Sequence, residues 1–183
     1  MNKALLPKVA KPVRYQVKLD VDLDNFNYKG SQIVELEMIE ETSSFEVNAI
    51  DIEITHAYLL DTMEARIDLD IEYLKDLERI SFRAEDSLAI GTYSLNLEFT
   101  SSITNDLKGF YKSQFLDLNN NEEWLATTQF EPTSARNAFP CWDEPEYKAV
   151  FSMTLISDKK YLRISNEKVL EEKELEDGKV QTT

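Results

Sequence analysis

The chain has 183 residues, a hydrophobic fraction of 42% and a formal net charge of −15. Nine Phe, eight Tyr and two Trp can supply a substantial core, and this length favours one large domain. The acidic charge argues against a nucleic-acid partner, which would need clustered Lys and Arg, and against an anionic membrane surface. We therefore expect an ordered acidic domain with neither nucleic acid nor membrane as its partner.

Alternating apolar and polar residues predict short β-strands through most of the chain. In residues 14–23, Tyr15, Val17 and Leu19 lie on one face of such a strand and polar residues on the other. One polar face per strand is typical of antiparallel sheet with one side on a core and the other in water. The prediction is an all-β fold, a large antiparallel saddle-like β-sandwich. The further alternating stretches are residues 34–38, 50–54, 67–71, 80–84, 93–99 and 149–155.

The stretches between the predicted strands contain turn signals and little helix. Turn-forming residues cluster at 24–30, 40–44 and 89–92, and residues 73–78 fit a single helical turn. The charge-dense residues 167–179 predict an exposed hairpin around Asp177-Gly178. Residues 180–183 read like the opening of another strand, so we expect the domain to be truncated just before its last strands.

The content of histidine, cysteine and glycine restricts the chemistry that the chain can perform. His56 is the only histidine and Cys141 the only cysteine, whereas a catalytic zinc site takes three protein ligands, commonly including two His. No H-E-x-x-H motif is present, and His56 lies in a strand-like stretch without a nucleophile signature. The four glycines stand too far apart for a phosphate-binding loop. We predict no catalytic residue and no metal ligand in this chain.

The cysteine content and the start of the chain also predict a compartment. One cysteine cannot form an internal disulfide, which favours a reducing environment. The first residues lack the apolar run of a signal peptide, and no segment approaches the roughly 20 apolar residues of a membrane span. The sequence therefore predicts a cytoplasmic protein.

Residues 127–145 fit neither a strand period nor a helix period. They read T-T-Q-F-E-P-T-S-A-R-N-A-F-P-C-W-D-E-P and include three prolines and the only cysteine. Such a density of rigid side chains indicates a fixed backbone conformation, which serves either a functional site or the fold. From the residues alone, Glu131 can either bind a ligand or cap the next turn, where Pro132 suits a first helical position.

This segment resembles the T-T-Q-F-E-P-x-x-A-R-x-A-F-P-C-x-D-E-P run of M1-family zinc aminopeptidases, the gluzincin group that includes the puromycin-sensitive and aminopeptidase N types. Other matching stretches span about the whole chain. The resemblance implies that residues 1–183 are the saddle-like N-terminal β domain of such an enzyme, whose H-E-x-x-H and G-A-M-E-N motifs belong to the next domain. The matching residues are Leu6-Pro7, Pro12-x-Arg14-Tyr15, Phe26-x-Tyr28-x-Gly30, Leu107-x-Gly109-Phe110-Tyr111-Lys112-Ser113 and Lys148-Ala149-x-Phe151.

The resemblance also implies a role for two residues of the run. The glutamine and glutamate of the family's T-Q-x-E stretch match Gln129 and Glu131, and they hold the α-amino group of the substrate. An α-amine with a pKa near 8 is mostly a cation at pH 7, and a carboxylate accepts a charge-assisted hydrogen bond from it. Side chains at positions i and i+2 of an extended stretch share a face.

From this resemblance follow the expected function, cofactor and partners. The full-length protein would remove N-terminal residues from peptides, with zinc bound by the catalytic domain and none by this chain, which would be inactive alone. Its partners would be a peptide with a free N-terminus and the absent catalytic domain. Two alternatives stay open: a non-catalytic M1-like scaffold, and a free-standing sandwich that binds proteins through its sheet edges.

The other residues of the run are expected to support the fold. Arg136 is expected to form an internal ion pair with Asp143 or Glu144. Phe139, Pro140 and Trp142 are expected to anchor the loop on the core, and Phe130 is a candidate for the border of the pocket. We expect Cys141 to be a small buried hydrophobic residue.

Overall fold

A computed structural model describes residues 5–183, in which the chain forms thirteen β-strands and two short 3₁₀ helices. The prediction about a signal peptide concerns the first residues, of which 1–4 lie outside this range. Within residues 5–183 no helix is long and apolar enough to cross a membrane. The strands are β1 (Ala10–Asp22), β2 (Asn27–Met38), β3 (Thr42–Asn48), β4 (Ile52–Leu60), β5 (Arg66–Asp68), β6 (Asp70–Leu74), β7 (Arg79–Leu88), β8 (Gly91–Ser102), β9 (Gly109–Leu116), β10 (Glu122–Gln129), β11 (Val150–Asp158), β12 (Glu172–Glu174) and β13 (Lys179–Thr182), and the 3₁₀ helices are Lys75–Leu77 and Ala135–Asn137.

The strands form three sheets. The largest has eight strands in the order β12-β13-β11-β1-β2-β8-β4-β5, a second has the order β3-β7-β6, and β9 and β10 form a separate hairpin. This arrangement confirms the predicted all-β sandwich. Neighbouring strands run antiparallel as predicted, except that β1 and β11 are parallel.

The core lies on one face of the eight-stranded sheet. Tyr15, Val34, Leu95 and Leu59 form a row across four neighbouring strands, and each is fully buried. Burying one such side chain contributes about 1.5–3 kcal/mol to folding. This row shows how the alternation in the sequence becomes a continuous apolar face.

The three-stranded sheet and the proline-rich run add aromatic residues to this core. Phe45 of β3 contacts Phe82 of β7 with ring centroids 5.5 Å apart, and Trp142 stacks on Phe45 at 6.2 Å. Phe139 and Trp142 are both buried. The expectation that these two residues anchor the loop on the core is therefore confirmed.

The alternating residues 67–71 do not form the single strand that their pattern predicts. Residues 66–68 form β5, which pairs with β4, while β6 pairs with β7 in the other sheet. Leu69 lies between them and is buried. The chain thus passes from one sheet to the other without a break in the alternation of apolar and polar residues. This is possible because both sheets turn an apolar face to the same core.

Two local predictions are confirmed, and three strands were not predicted. Residues 75–77 form the expected helical turn, and β12 and β13 form a hairpin around Asp177-Gly178. The sequence pattern did not identify β3, β9 or β10. Strand β10 begins Glu122-Glu123-Trp124-Leu125, a pair of acids followed by a pair of apolar residues, which obscures the period of two.

Candidate functional site

Gln129 is the last residue of β10 and lies directly opposite Gly109, the first residue of β9. The pairing of β9 and β10 is regular along its whole length, so residues of the two strands that face each other share a side of the hairpin. Even-numbered residues therefore lie on one side and odd-numbered residues, including Gln129, on the other.

The even-numbered side of the hairpin packs on the body of the domain. Phe110 meets Tyr28 edge to face with centroids 5.4 Å apart, and Trp124 meets Phe26 in the same way at 5.5 Å. The ammonium of Lys112 lies 3.6 Å from the centroid of the Phe26 ring, a cation–π contact. These contacts leave the odd-numbered side facing away from Phe26 and Tyr28. At the Gly109 end, Asn137 lies against the hairpin, while Gln129 itself is exposed.

Gln129 and Glu131 are both exposed, on either side of Phe130. The Phe130 ring packs edge-on against Phe139 with centroids 5.8 Å apart, so Phe130 ties the site to the core. The Gln129 side-chain amide donates a weak hydrogen bond of 3.4 Å to the carbonyl oxygen of Glu131. The structure thus brings the two predicted residues together, while their contact with an amine stays a prediction.

The Glu131 carboxylate forms no hydrogen bond and no ion pair within residues 5–183. The 3₁₀ helix that follows begins after Ser134 and has no side-chain cap. The turn is instead closed by the backbone, since the amide of Ser134 donates to the carbonyl of Phe130 at 2.7 Å. The alternative that Glu131 caps this turn is therefore not what the structure shows.

Arg136 holds the segment after Glu131 through a buried ion pair. Its Nε donates to Oδ2 of Asp143 at 2.9 Å, and its Nη1 donates to Oε2 of Glu78 at 3.0 Å. The expected pair with Asp143 is confirmed, while the Glu144 carboxylate instead accepts a hydrogen bond from the backbone amide of Leu6. Arg136 thus connects the segment to the loop that precedes β7.

Cys141 attaches the same segment to the end of β3. The amides and carbonyls of Asn48 and Cys141 exchange two hydrogen bonds, of 2.8 and 3.0 Å. Cys141 is only 3% exposed, and burial raises the pKa of its thiol well above the usual value. The prediction that it is a small buried hydrophobic residue is confirmed.

Buried side chains of β2 bind backbone carbonyls of the segment. The Tyr28 hydroxyl donates to the carbonyl of Ala138 at 2.7 Å, and the Gln32 amide donates to the carbonyl of Pro140 at 2.8 Å. Burial raises the pKa of Tyr28 to about 12. These bonds hold the segment on the sheet and thereby position the turn that carries Glu131.

The described part of the chain offers no place for a metal ion. No group of three or more His, Cys, Asp or Glu side chains within residues 5–183 is arranged to hold one. His56 lies in β4, as predicted, exposed and with Nδ1 3.0 Å from Oε2 of Glu98 on β8. Because Cys141 is buried elsewhere in the core, the residues present do not fit a zinc site.

A polar groove of about 410 Å³ lies on the outer face of the eight-stranded sheet. His56, Glu98 and Lys18 are among its lining residues, and neither Gln129 nor Glu131 borders it. The groove is therefore separate from the candidate amine-binding residues.

Comparison with known proteins identifies close sequence similarity to aminopeptidases. The chain is 31% identical to Aminopeptidase 2 of Candida albicans over 187 residues, which cover 100% of the chain and 19% of the relative. It is 34% identical to the puromycin-sensitive aminopeptidase of Caenorhabditis elegans over 175 residues, covering 95% of the chain and 18% of that protein. It is also 31% identical to endoplasmic reticulum aminopeptidase 1 of Rattus norvegicus, covering 90% of the chain and 18% of that protein. The chain thus spans about a fifth of the length of these relatives.

A family model supports the same assignment and covers nearly the whole chain. The model of the peptidase M1 N-terminal domain matches residues 11–183. This match extends from β1 through the hairpin with Gln129 to the last strand, β13. The chain therefore belongs to the peptidase M1 N-terminal domain family, as its motifs predicted.

Proposed function

We propose that this domain holds the free α-amino group of a peptide substrate within an aminopeptidase. The observation that carries the proposal is the Glu131 carboxylate, exposed and without a partner in residues 5–183, next to Gln129 on a firmly held turn. A carboxylate in this setting is available to a ligand. The net charge of −15 adds a field that attracts cations such as a peptide N-terminus.

The two side chains suit a primary ammonium group. An ammonium has three donors and no acceptor, and the Glu131 carboxylate accepts from it a charge-assisted hydrogen bond, roughly twice as strong as a neutral one. The Gln129 amide nitrogen donates to the Glu131 carbonyl, which leaves its amide oxygen free to accept a second bond. A peptide nitrogen inside a chain is uncharged, so this pair selects the N-terminus.

We further propose that hydrolysis takes place in a part of the full-length protein beyond this chain. The relatives are about five times as long as the matched region, and within residues 5–183 no group of three or more His, Cys, Asp or Glu side chains is arranged to hold a metal ion. The zinc expected for the family would therefore be held elsewhere, and this chain alone would not cut peptides. We also propose a cytoplasmic location, because the single cysteine of this chain cannot form an internal disulfide.

The test is a substitution at Glu131 in the full-length protein. Glu131→Gln should lower kcat/KM for a substrate with a free α-amino group at least tenfold, or about 1.4 kcal/mol of transition-state stabilisation. The matched control is Glu123→Gln, which removes the same charge from an exposed acid on the same side of the hairpin. Equal kcat/KM values for the two variants would contradict the amine-binding role of Glu131, whereas an unsubstituted full-length protein without peptidase activity would favour a non-catalytic scaffold.

A further inference from the structure

We propose that the outer face of the eight-stranded sheet binds a neutral oligosaccharide. The site is the polar groove of about 410 Å³ that His56, Glu98 and Lys18 help to line, and we call it the outer-face groove. Its volume lies within the range of about 300–1,000 Å³ that is usual for ligand sites. The inference does not depend on amine binding, because neither Gln129 nor Glu131 borders the groove.

A row of uncharged side chains crosses the groove, one from each of five neighbouring strands. Tyr58 of β4 lies opposite Asn96 of β8, and Asn96 lies opposite Ile33 of β2. Gln16 of β1 lies opposite Ile33 and, on its other side, opposite Ser152 of β11. All five residues line the groove. The row is about 19 Å long, since neighbouring strands lie about 4.8 Å apart, and it can hold several sugar rings in line.

The charges in the groove cancel. Among the described residues that line it, Lys18 and Glu98 are the only ones of the Lys, Arg, Asp and Glu types, and His56 Nδ1 lies 3.0 Å from Oε2 of Glu98. The whole chain has 35 acidic residues against 20 Lys and Arg, and its field repels anions. A cationic ligand would meet only one carboxylate, which already has a partner. The charge pattern therefore favours a neutral ligand.

The polar groups of the row are open to such a ligand. The side chains of Gln16, Tyr58 and Ser152 form no hydrogen bond within residues 5–183. The Asn96 amide donates to the carbonyl of Ser94 at 3.0 Å, which leaves its own oxygen free to accept. Amide and hydroxyl side chains both donate and accept hydrogen bonds, as the hydroxyl groups of a sugar do, so each can pair with a sugar hydroxyl in either direction.

Other classes of ligand fit the groove less well. An extended peptide joins a sheet by pairing with a free edge, whereas each of the five strands here is already paired on both sides. An apolar ligand would bury amides and hydroxyls without partners. Ile33 is 42% exposed, and the Tyr58 ring carries the Arg66 guanidinium on one side at 4.2 Å. These two residues supply the limited apolar surface against which the C–H groups of a sugar pack.

Affinity electrophoresis of the full-length protein tests this binding. Native gels are cast with one of four neutral polysaccharides: amylopectin, laminarin, galactomannan or xyloglucan. We expect retardation in at least one gel, and roughly fivefold weaker binding of that polysaccharide by Gln16→Ala, which loses a hydrogen bond. Tyr58→Ala should weaken the same binding. The matched control is Gln114→Ala, which removes an exposed glutamine of β9 outside the groove and should bind like the unsubstituted protein.

The other results would overturn the proposal. One is the absence of retardation in all four gels, and another is retardation that neither groove variant changes, which would place the sugar elsewhere. Binding of fluorescent polyglutamate that Gln16→Ala abolishes would replace the sugar by an acidic peptide. The Glu131→Gln variant leaves the groove intact and should still bind the polysaccharide, so failure of amine binding and failure of sugar binding are distinguishable.

Discussion

Gly109 lies directly opposite Gln129 in the antiparallel pairing of β9 and β10. Its φ of +67° lies in the left-handed region, and a β-carbon added to it would collide with Asn137. Asn137 ends the second 3₁₀ helix, which follows the turn that carries Glu131. Because Gly109 has no side chain, the segment that contains Asn137 can pack against the end of the hairpin where Gln129 lies.

Replacing Gly109 by Ala should destabilise the domain by roughly 2–4 kcal/mol. About 1–2 kcal/mol comes from the left-handed backbone, and the rest from overpacking against Asn137. Gly178→Ala is the matched control, since φ is +81° there and nothing lies within 4 Å of the added β-carbon. Urea denaturation should show a clearly larger loss for Gly109→Ala, and equal losses would show that Asn137 moves aside at no cost.

Arg136→Gln should destabilise the domain strongly. The Arg136 and Asp143 side chains are only 11% and 13% exposed, and removing one partner of a buried ion pair costs about 3–5 kcal/mol. Arg66→Gln removes the same charge from an exposed pair with Asp68, where about 0–1 kcal/mol is expected. Comparing the free energies of unfolding of the two variants checks the prediction. A similar small loss in both would contradict the role of the Arg136 ion pair in holding the segment after Glu131.

The stability of the domain should fall at high pH because of Tyr28. Its pKa is raised by burial from 10.0 to about 12, so the unfolded chain loses this proton first. The stabilisation is fully present below pH 10 and is lost as pH rises from 10 to 12, by roughly 2–3 kcal/mol. Tyr28→Phe should reduce the slope of unfolding free energy against pH in this window, and an unchanged slope would contradict the assignment to Tyr28.

Tyr28→Phe should also lower stability at neutral pH. The substitution leaves the buried carbonyl of Ala138 without the hydroxyl that donates to it at 2.7 Å, a loss of about 1–3 kcal/mol. Thermal unfolding at pH 7 measures this cost separately from the alkaline effect. Tyr73→Phe is a useful comparison, because the Tyr73 hydroxyl accepts from the amide of Ile54 at 2.8 Å and its side chain is 42% exposed.

Cys141 should react with thiol reagents only when the domain opens. It is 3% exposed, and its raised pKa keeps the thiol in the unreactive protonated form. Its labelling rate should therefore follow unfolding in urea, whereas Leu118→Cys should react at once in the native protein. Rapid labelling of Cys141 under native conditions would show that the segment after Glu131 opens locally.

Much of the fold could be predicted from the sequence because local chemistry decides it. Period-two alternation indicated most strands, and the aromatic and proline residues around Phe139 and Trp142 indicated an anchored loop. The motif around Gln129 and Glu131 indicated the family, which the match to residues 11–183 confirms. What could not be predicted was the pairing of distant segments, such as the parallel contact of β1 with β11.

By itself, the sequence determined the all-β class, the family and the two residues proposed to bind an amine. Only the tertiary structure decided that β5 and β6 enter different sheets, that Arg136 also reaches Glu78, and that Gln129 lies on the side of the hairpin that faces away from Phe26 and Tyr28. The reason is physical: alternation and side-chain type act within a few residues, whereas register and burial depend on contacts between segments far apart in the chain. The turn after Glu131 is closed by a local backbone hydrogen bond, but the segment that follows it is held in place by Tyr28 and Gln32 of β2, more than a hundred residues away in the chain.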